Sequence, residues 1–188
     1  RISLPDAVVS GCAAGGVSGR RAAASRDETS TRMIKVIPAS DTEYDLAFAT
    51  MRENMIAYHE KYGIPWNQDW LDRNFRHKEN YSVFSSTGWI GFLSLEWRNS
   101  DLFIHTLQLT RRAQGSVYGA RVYEWMVEQM KLKGIEKITC KTFRGSSMLG
   151  LYKRMGFSEV AQEKYLVTLE MRPGEHKPLG RAYRSPRL

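Results

Sequence analysis

The chain has 188 residues, 42% of them hydrophobic, so a single domain with a sizeable core is expected. No apolar run approaches the ~20 residues that cross a bilayer, and two cysteines without zinc-type spacing to histidine argue against a disulfide framework and a structural metal. The net charge of +8 sits mostly at the ends: residues 1–32 carry five arginines against three acids and residues 173–188 four basic residues against one acid, leaving +3 for the body, too little for a groove that tracks nucleic-acid phosphates.

Residues 1–32, rich in Ala, Gly, Ser and Arg and without sustained periodicity, read as a disordered extension. The domain is read from Met33, because Met33-Ile34-Lys35-Val36-Ile37 opens a strand pattern. Ser40-Asp41-Thr42-Glu43 is a capping box, and Phe48, Met51, Met55, Tyr58 and Tyr62 follow at helical spacing until Gly63. A shorter helix starts at Asn67 and runs through Trp70, Leu71 and Phe75. Tyr81 to Ser85, Trp89 to Arg98 and Leu102 to Thr110 are strand-like runs joined by turns too short for a crossover helix, hence an antiparallel meander. The helix after Gly119 carries Val122, Tyr123, Met126, Val127 and Met130 on one face and ends at Gly134. Lys137 to Lys141 is a strand, Ser146 to Met155 a helix, and Lys164 to Met171 closes the sheet. The pattern is α+β: a mixed, mostly antiparallel sheet of about six to seven strands flanked by about four helices over residues 33–172. Residues 173–188 read as a flexible basic tail.

Two segments carry the chemistry. In Leu107 to Gly119 an apolar strand passes through a glycine-bearing turn into an amphipathic helix, and the first amides of a helix, unpaired and at the positive end of its dipole, bind phosphate well. The second, Gly145-Ser146-Ser147-Met148-Leu149-Gly150-Leu151-Tyr152-Lys153-Arg154-Met155-Gly156-Phe157, is a short helix ending in Tyr-x-x-x-Gly-Phe. In this order, with a strand between them, the two resemble the GNAT superfamily of acyl-CoA-dependent N-acyltransferases, over Met33 to Arg172 and most closely from Trp89 to Phe157.

That resemblance implies acetyl-CoA as cosubstrate, direct transfer of acetyl to a primary amine, and no metal. It places the CoA pyrophosphate on Gln114, Gly115, Ser116, Val117, Tyr118, Gly119 and Ala120, with Val117 standing where the middle glycine of the motif usually lies. The backbone of Leu107, Gln108 and Leu109 is implied as donor to the thioester oxygen. Gly145 occupies the position of an asparagine that commonly bonds the pantetheine arm, with Ser147 in the same motif. Tyr152 is implied as the acid toward the departing sulfur, since a phenol with pKa near ~10 keeps its proton at neutral pH.

A base for the amine is read from the residues. Leu102 to Thr110 contains no acid, and His105 is its one titratable group; it shares strand parity with Phe103, Leu107 and Leu109, which equally suits a hydrogen-bonded core histidine. Glu96 shares a face with Ser94 and Phe92 and can lie across the meander, or end its strand in solvent. A water chain without a dedicated base is a third arrangement. Tyr58, Tyr62 and Trp66 form an aromatic wall suited to a small cationic amine, or else pack the helix pair onto the sheet. The reading is a cytoplasmic enzyme acting on a small-molecule amine, without membrane or specific nucleic-acid partner and with a homodimer left open. A protein acceptor (lysine or N-terminus) and a catalytically impaired acyl-CoA-sensing module stand as alternatives.

Overall fold

The computed structural model describes residues 33–177. The elements, in chain order, are β1 (Lys35–Pro38), α1 (Asp41–Tyr62), α2 (Gln68–Phe75), β2 (Glu79–Ser85), β3 (Gly88–Arg98), β4 (Asp101–Leu109), α3 (Tyr118–Lys133), β5 (Lys137–Phe143), α4 (Met148–Met155), β6 (Ser158–Gln162) and β7 (Leu166–Met171). The seven strands form one sheet in the order β1-β2-β3-β4-β5-β7-β6, antiparallel throughout except for the β4–β5 pair. The α+β, mostly antiparallel architecture with four α-helices is therefore as expected.

Local chemistry sets the helix ends. The Glu43 carboxylate accepts the Ser40 N–H at 2.9 Å at the start of α1, and Gly63, with φ 64°, stops it. Asn67 caps α2 by accepting the Trp70 N–H at 2.9 Å. The sheet is sandwiched. Met51 and Met55 of α1 and Leu71 and Phe75 of α2 pack with Phe92 and Phe143 on one face. Val122, Tyr123, Met126 and Met130 of α3 and Leu151, Tyr152 and Met155 of α4 pack with Leu102, Ile104, Leu107 and Leu109 on the other. Each fully buried aliphatic side chain contributes ~1.5–3 kcal/mol.

The pairing of β4 changes along its length. Leu95 pairs with Ile104 but Ser94 pairs with Thr106, so His105 is the extra residue of a β-bulge. The bulge reverses the parity of the strand: Leu102 and Ile104 before it and Leu107 and Leu109 after it all reach the α3/α4 core. His105 faces the other way, its ring 4.8 Å from Phe103 and 6.3 Å from Phe75. The expected shared parity of His105 with Leu107 and Leu109 is thus overturned by one inserted residue.

Two further differences from expectation lie near the C-terminus. β6 is an additional edge strand whose five residues are all exposed, so it carries no alternation of apolar and polar positions to announce it. Residues 173–177 are seated on the body: the Lys177 N–H donates to the Met155 carbonyl at 3.2 Å, and the His176 ring lies 5.4 Å from that of Tyr123. Gly156 makes room for this strap, since a Cβ there would stand 2.1 Å from the Glu175 carbonyl oxygen. The boundary read at Arg172 falls short of this packing. The proposed extension 1–32 and residues 178–188 lie outside the described residues.

Candidate functional site

The site begins where two parallel strands part. β4 and β5 pair only from Asp101 opposite Lys137 to Ile104 opposite Cys140. Beyond that point β4 continues to pair with β3 as far as Leu109, and β5 with β7 as far as Phe143, so each strand is held by its outer neighbour while the inner edges diverge. Backbone groups alternate in direction along an antiparallel strand. Because the Thr110 N–H donates to the Ile90 carbonyl at 2.9 Å, Thr110 and Gln108 face β3, and Leu109 and Leu107 face the gap. Of the three residues expected to offer backbone donors, Gln108 is therefore turned away, while the side chains of Leu107 and Leu109 are in the core.

At the open end the chain turns from β4 into α3. Gly115 has φ 67°, a left-handed conformation that glycine adopts without a Cβ penalty. Val117, by contrast, has φ −77° and ψ −9°, ordinary helical backbone that a valine accommodates, as the N-cap of α3. The Arg121 N–H is the first in α3 to find a carbonyl, that of Val117 at 3.1 Å; among the described residues the amides of Gly115, Ser116, Val117, Gly119 and Ala120 meet no backbone acceptor. This cluster of donors before a 16-residue helix is chemically suited to a diphosphate. The Ser116 hydroxyl bonds to the Ala113 carbonyl and accepts the Tyr118 N–H at 3.3 Å, holding the loop in this shape. The Gln114 side chain points inward instead, donating to the Leu109 carbonyl at 2.8 Å and to Asn54 Oδ1 at 3.0 Å.

The two titratable candidates flank the apex of the gap on opposite faces of the sheet. His105 follows Ile104, the last β4 residue paired with β5. It is buried and bonded through Nε2 to Glu96 at 2.6 Å. Glu96 also accepts from Lys78 at 2.7 Å and from Arg98 at 2.8 Å; the bond to Arg98 is the chief reason its carboxyl stays ionised well below the usual carboxylate range. Burial lowers the His105 pKa from 6.5, against the opposing pull of Glu96, which favours neutral imidazole at pH 7. On the other face Tyr152, 3% exposed, shares a hydrogen bond with the thiol of Cys140, the partner of Ile104. Burial pushes that thiol up to about 12, so it is a neutral neighbour. Tyr152 lines a narrow cavity of about 20 Å³ together with Ile104, Leu107 and Gly119.

The aromatic wall gathers at the tip of β5. Phe143 stacks with Tyr58 (ring centroids 5.1 Å, 13° between planes) and with Tyr62 (5.5 Å, 19°), and Tyr165 lies 5.8 Å from Tyr62. Trp66 reaches the group through His59, at 5.1 Å. The Tyr62 hydroxyl donates to the Arg144 carbonyl, and Lys61 lies 5.2 Å from the Tyr62 ring. The structure brings these rings together, and much of their area is taken up by one another. Gly145 has φ 77° and is exposed, as is Ser147, the N-cap of α4.

The family model described as "Acetyltransferase (GNAT) family" matches residues 47–157, more than half of the chain. The chain belongs to the GNAT acetyltransferase family. A search of curated proteins gives no match. Among solved structures, the PaiA N-acetyltransferase of Thermoplasma acidophilum, in complex with coenzyme A, is 16% identical with a TM-score of 0.57, covering 74% of this chain and 99% of that one. A GNAT-family acetyltransferase of Staphylococcus aureus Mu50 is 12% identical with a TM-score of 0.61, covering 75% and 99%. The ribosomal-protein-S18-alanine N-acetyltransferase of Escherichia coli is 11% identical with a TM-score of 0.58, covering 80% and 99%. Identities this low establish the fold.

Within this GNAT domain the matched segment ends at Phe157, the last residue of the second motif, and contains both the donor loop and Tyr152. One residue of the site escaped the sequence reading altogether: Asn54, 6% exposed, which donates to Gln108 Oε1 at 2.9 Å and to the Leu109 carbonyl at 3.0 Å. A signal for it exists, because a polar residue between Met51, Met55 and Tyr58 on the apolar stripe of a helix must find a buried partner. Among the described residues no group of three His, Cys, Asp or Glu is arranged to hold a metal ion, and no helix is long and apolar enough to cross a membrane.

Proposed function

We propose that the chain transfers an acetyl group from acetyl-CoA to a primary amine of a small molecule, by direct attack with both substrates bound. The observation that carries the reading is the apex of the fork, where His105, bonded to Glu96, on one face and Tyr152, bonded to Cys140, on the other flank the point at which β4 and β5 separate. The pyrophosphate rests on the amides of Gly115, Ser116, Val117, Gly119 and Ala120, and the pantetheine arm runs down the gap along the backbone edge of Leu109 and Leu107 that faces away from β3.

His105 serves as base. Ionised Glu96 accepts from Nε2–H, which leaves the Nδ1 lone pair to take the proton of the amine. Glu96 acts as a positioning residue, fixing tautomer and ring. The amine nitrogen bonds to the thioester carbon and the carbon–sulfur bond breaks. The departing thiolate takes the phenolic proton of Tyr152, which is later restored by the proton that His105 holds, through solvent. The products are an N-acetyl amide and free CoA thiol. The acceptor enters from the α1/α2 face, past Tyr58, Tyr62 and Trp66, the face His105 also occupies.

The test is thiol release from acetyl-CoA across a panel of small amines, with Tyr152→Phe beside the parent. General-acid contributions are typically 10²–10⁴-fold, so turnover by Tyr152→Phe on a productive amine should fall by at least ~10²-fold. Unchanged turnover removes Tyr152 from the mechanism, and thiol release with no amine of the panel overturns the small-molecule reading.

A further inference from the structure

A buried amide cluster joins the helix that walls the acceptor side to the loop read above as the cofactor site. Asn54 stands on α1, one turn before Tyr58 and two before Tyr62. Its Nδ2 donates to Gln108 Oε1 at 2.9 Å and to the Leu109 carbonyl at 3.0 Å; its Oδ1 accepts from Gln114 Nε2 at 3.0 Å. Gln114 Nε2 also donates to the Leu109 carbonyl at 2.8 Å, and Gln108 Nε2 donates to Thr106 Oγ1 at 2.9 Å. All four side chains are buried, with exposures of 6% or less. In such surroundings an amide that loses its partner forfeits the full cost of its desolvation, so the cluster holds one geometry.

Position gives this cluster its consequence. Leu109 is the last β4 residue on the edge of the gap, and Gln114 immediately precedes Gly115 and the free amides. Two side-chain donors saturate the Leu109 carbonyl, so at that residue the gap is offered the N–H alone. The same two bonds fix where the loop leaves the strand, and through Asn54 that point is referred to α1.

We propose that Asn54 is a positioning residue for acyl-CoA: through Gln114 and the Leu109 carbonyl it holds the diphosphate loop in register with the gap and makes Leu109 a donor to the pantetheine arm. This inference rests on the reading of the loop as the acyl-CoA site. It requires the loss from Asn54 variants to appear in cofactor binding, and it requires Asn54 and Gln114 to act as one unit.

The experiment is titration calorimetry with CoA, together with KM for acetyl-CoA and for the acceptor, on the parent, Asn54→Ala, Asn54→Asp, Gln114→Ala and the double variant. Asn54→Asp keeps the shape but cannot donate to the Leu109 carbonyl. CoA affinity is expected to fall about tenfold or more in each Asn54 variant, the equivalent of one lost buried hydrogen bond, with the acceptor KM within about twofold of the parent. The double variant should be no weaker than the weaker single one. A folded Asn54→Ala protein with parental CoA affinity overturns the proposal, and so do additive losses or an acceptor KM that rises in step, as general loosening would produce. If the Asn54 variants do not fold, Gln114→Ala decides by the same criterion. If the parent itself does not bind CoA, the reading of the loop fails and this proposal with it.

Discussion

The β4 wall of the fork is held by amide donors from Asn54 and Gln114, 3.0 and 2.8 Å from the Leu109 carbonyl, whereas the β5 wall is held by rings stacked on Phe143 at 5.1 and 5.5 Å. Hydrogen bonds between buried amides are directional and tolerate little displacement. Ring stacking has a shallow dependence on offset and rewards area more than angle. The wall that the proposed function assigns to the cofactor, whose backbone groups must be presented at set spacing, is the directional one. The wall that the proposed function assigns to the acceptor is built from contacts that allow the rings to shift.

Removing the centre of the stack gives the largest effect. Phe143 is 2% exposed and touches Tyr58, His59, Tyr62 and Tyr165. Phe143→Ala is expected to cost ~3–5 kcal/mol of unfolding free energy by urea titration, with CoA affinity within about twofold of the parent. A collapse of CoA binding in the folded variant would show that the two walls are not separately held.

A smaller effect sharpens the comparison through the apex between the walls. Because burial depresses the His105 pKa below 6.5, kcat/KM should rise with pH along a one-proton limb lying below that value and level off above it. Glu96 opposes the depression, so Glu96→Gln should move the limb further toward acid and lower the plateau. Linkage has the same sign: unfolded chains bind a proton at His105 more readily than folded ones, so stability lost below 6.5 is recovered as pH rises through the window between the depressed value and 6.5. His105→Gln should abolish the limb. A limb that persists in His105→Gln assigns the base to another group.

How far the sequence reveals this divided site follows from the range of the interactions. Helix ends were legible because Ser40, Asn67, Gly63 and Gly134 act on neighbours within a few residues. The donor loop was legible because its strand, glycine turn and helix are contiguous from Leu107 to Tyr118. The bulge at His105 was not, since an extra residue exists only relative to a partner strand, and with it went the face on which His105 lies. Asn54 and Gln114 are 60 residues apart, and neither names the other. Exposed β6 lacked the alternation that burial of one face imposes. Val117 stands where the motif usually has glycine, and only the structure shows that its backbone angles there are ones valine adopts freely.

The smallest change tests the stacked wall at the hydrogen bond that ties Tyr62 to the end of β5. Tyr62 donates from its hydroxyl to the Arg144 carbonyl, while the Arg144 N–H donates to the Tyr165 carbonyl at 2.8 Å, so the tip of β5 is tied to both the end of α1 and the turn before β7. Tyr62→Phe keeps the ring on Phe143 and deletes that tie. Because the site is half-exposed, water can replace the lost donor, and the expected cost is at most ~1 kcal/mol of stability. If stacking alone places the ring, the acceptor KM should change by no more than about twofold, whereas a rise of about tenfold would mean that the hydroxyl orients the acceptor wall as strictly as Asn54 is proposed to orient the cofactor loop. Parallel measurement of the CoA KM separates the outcomes, since that value should stay at the parental level in either case.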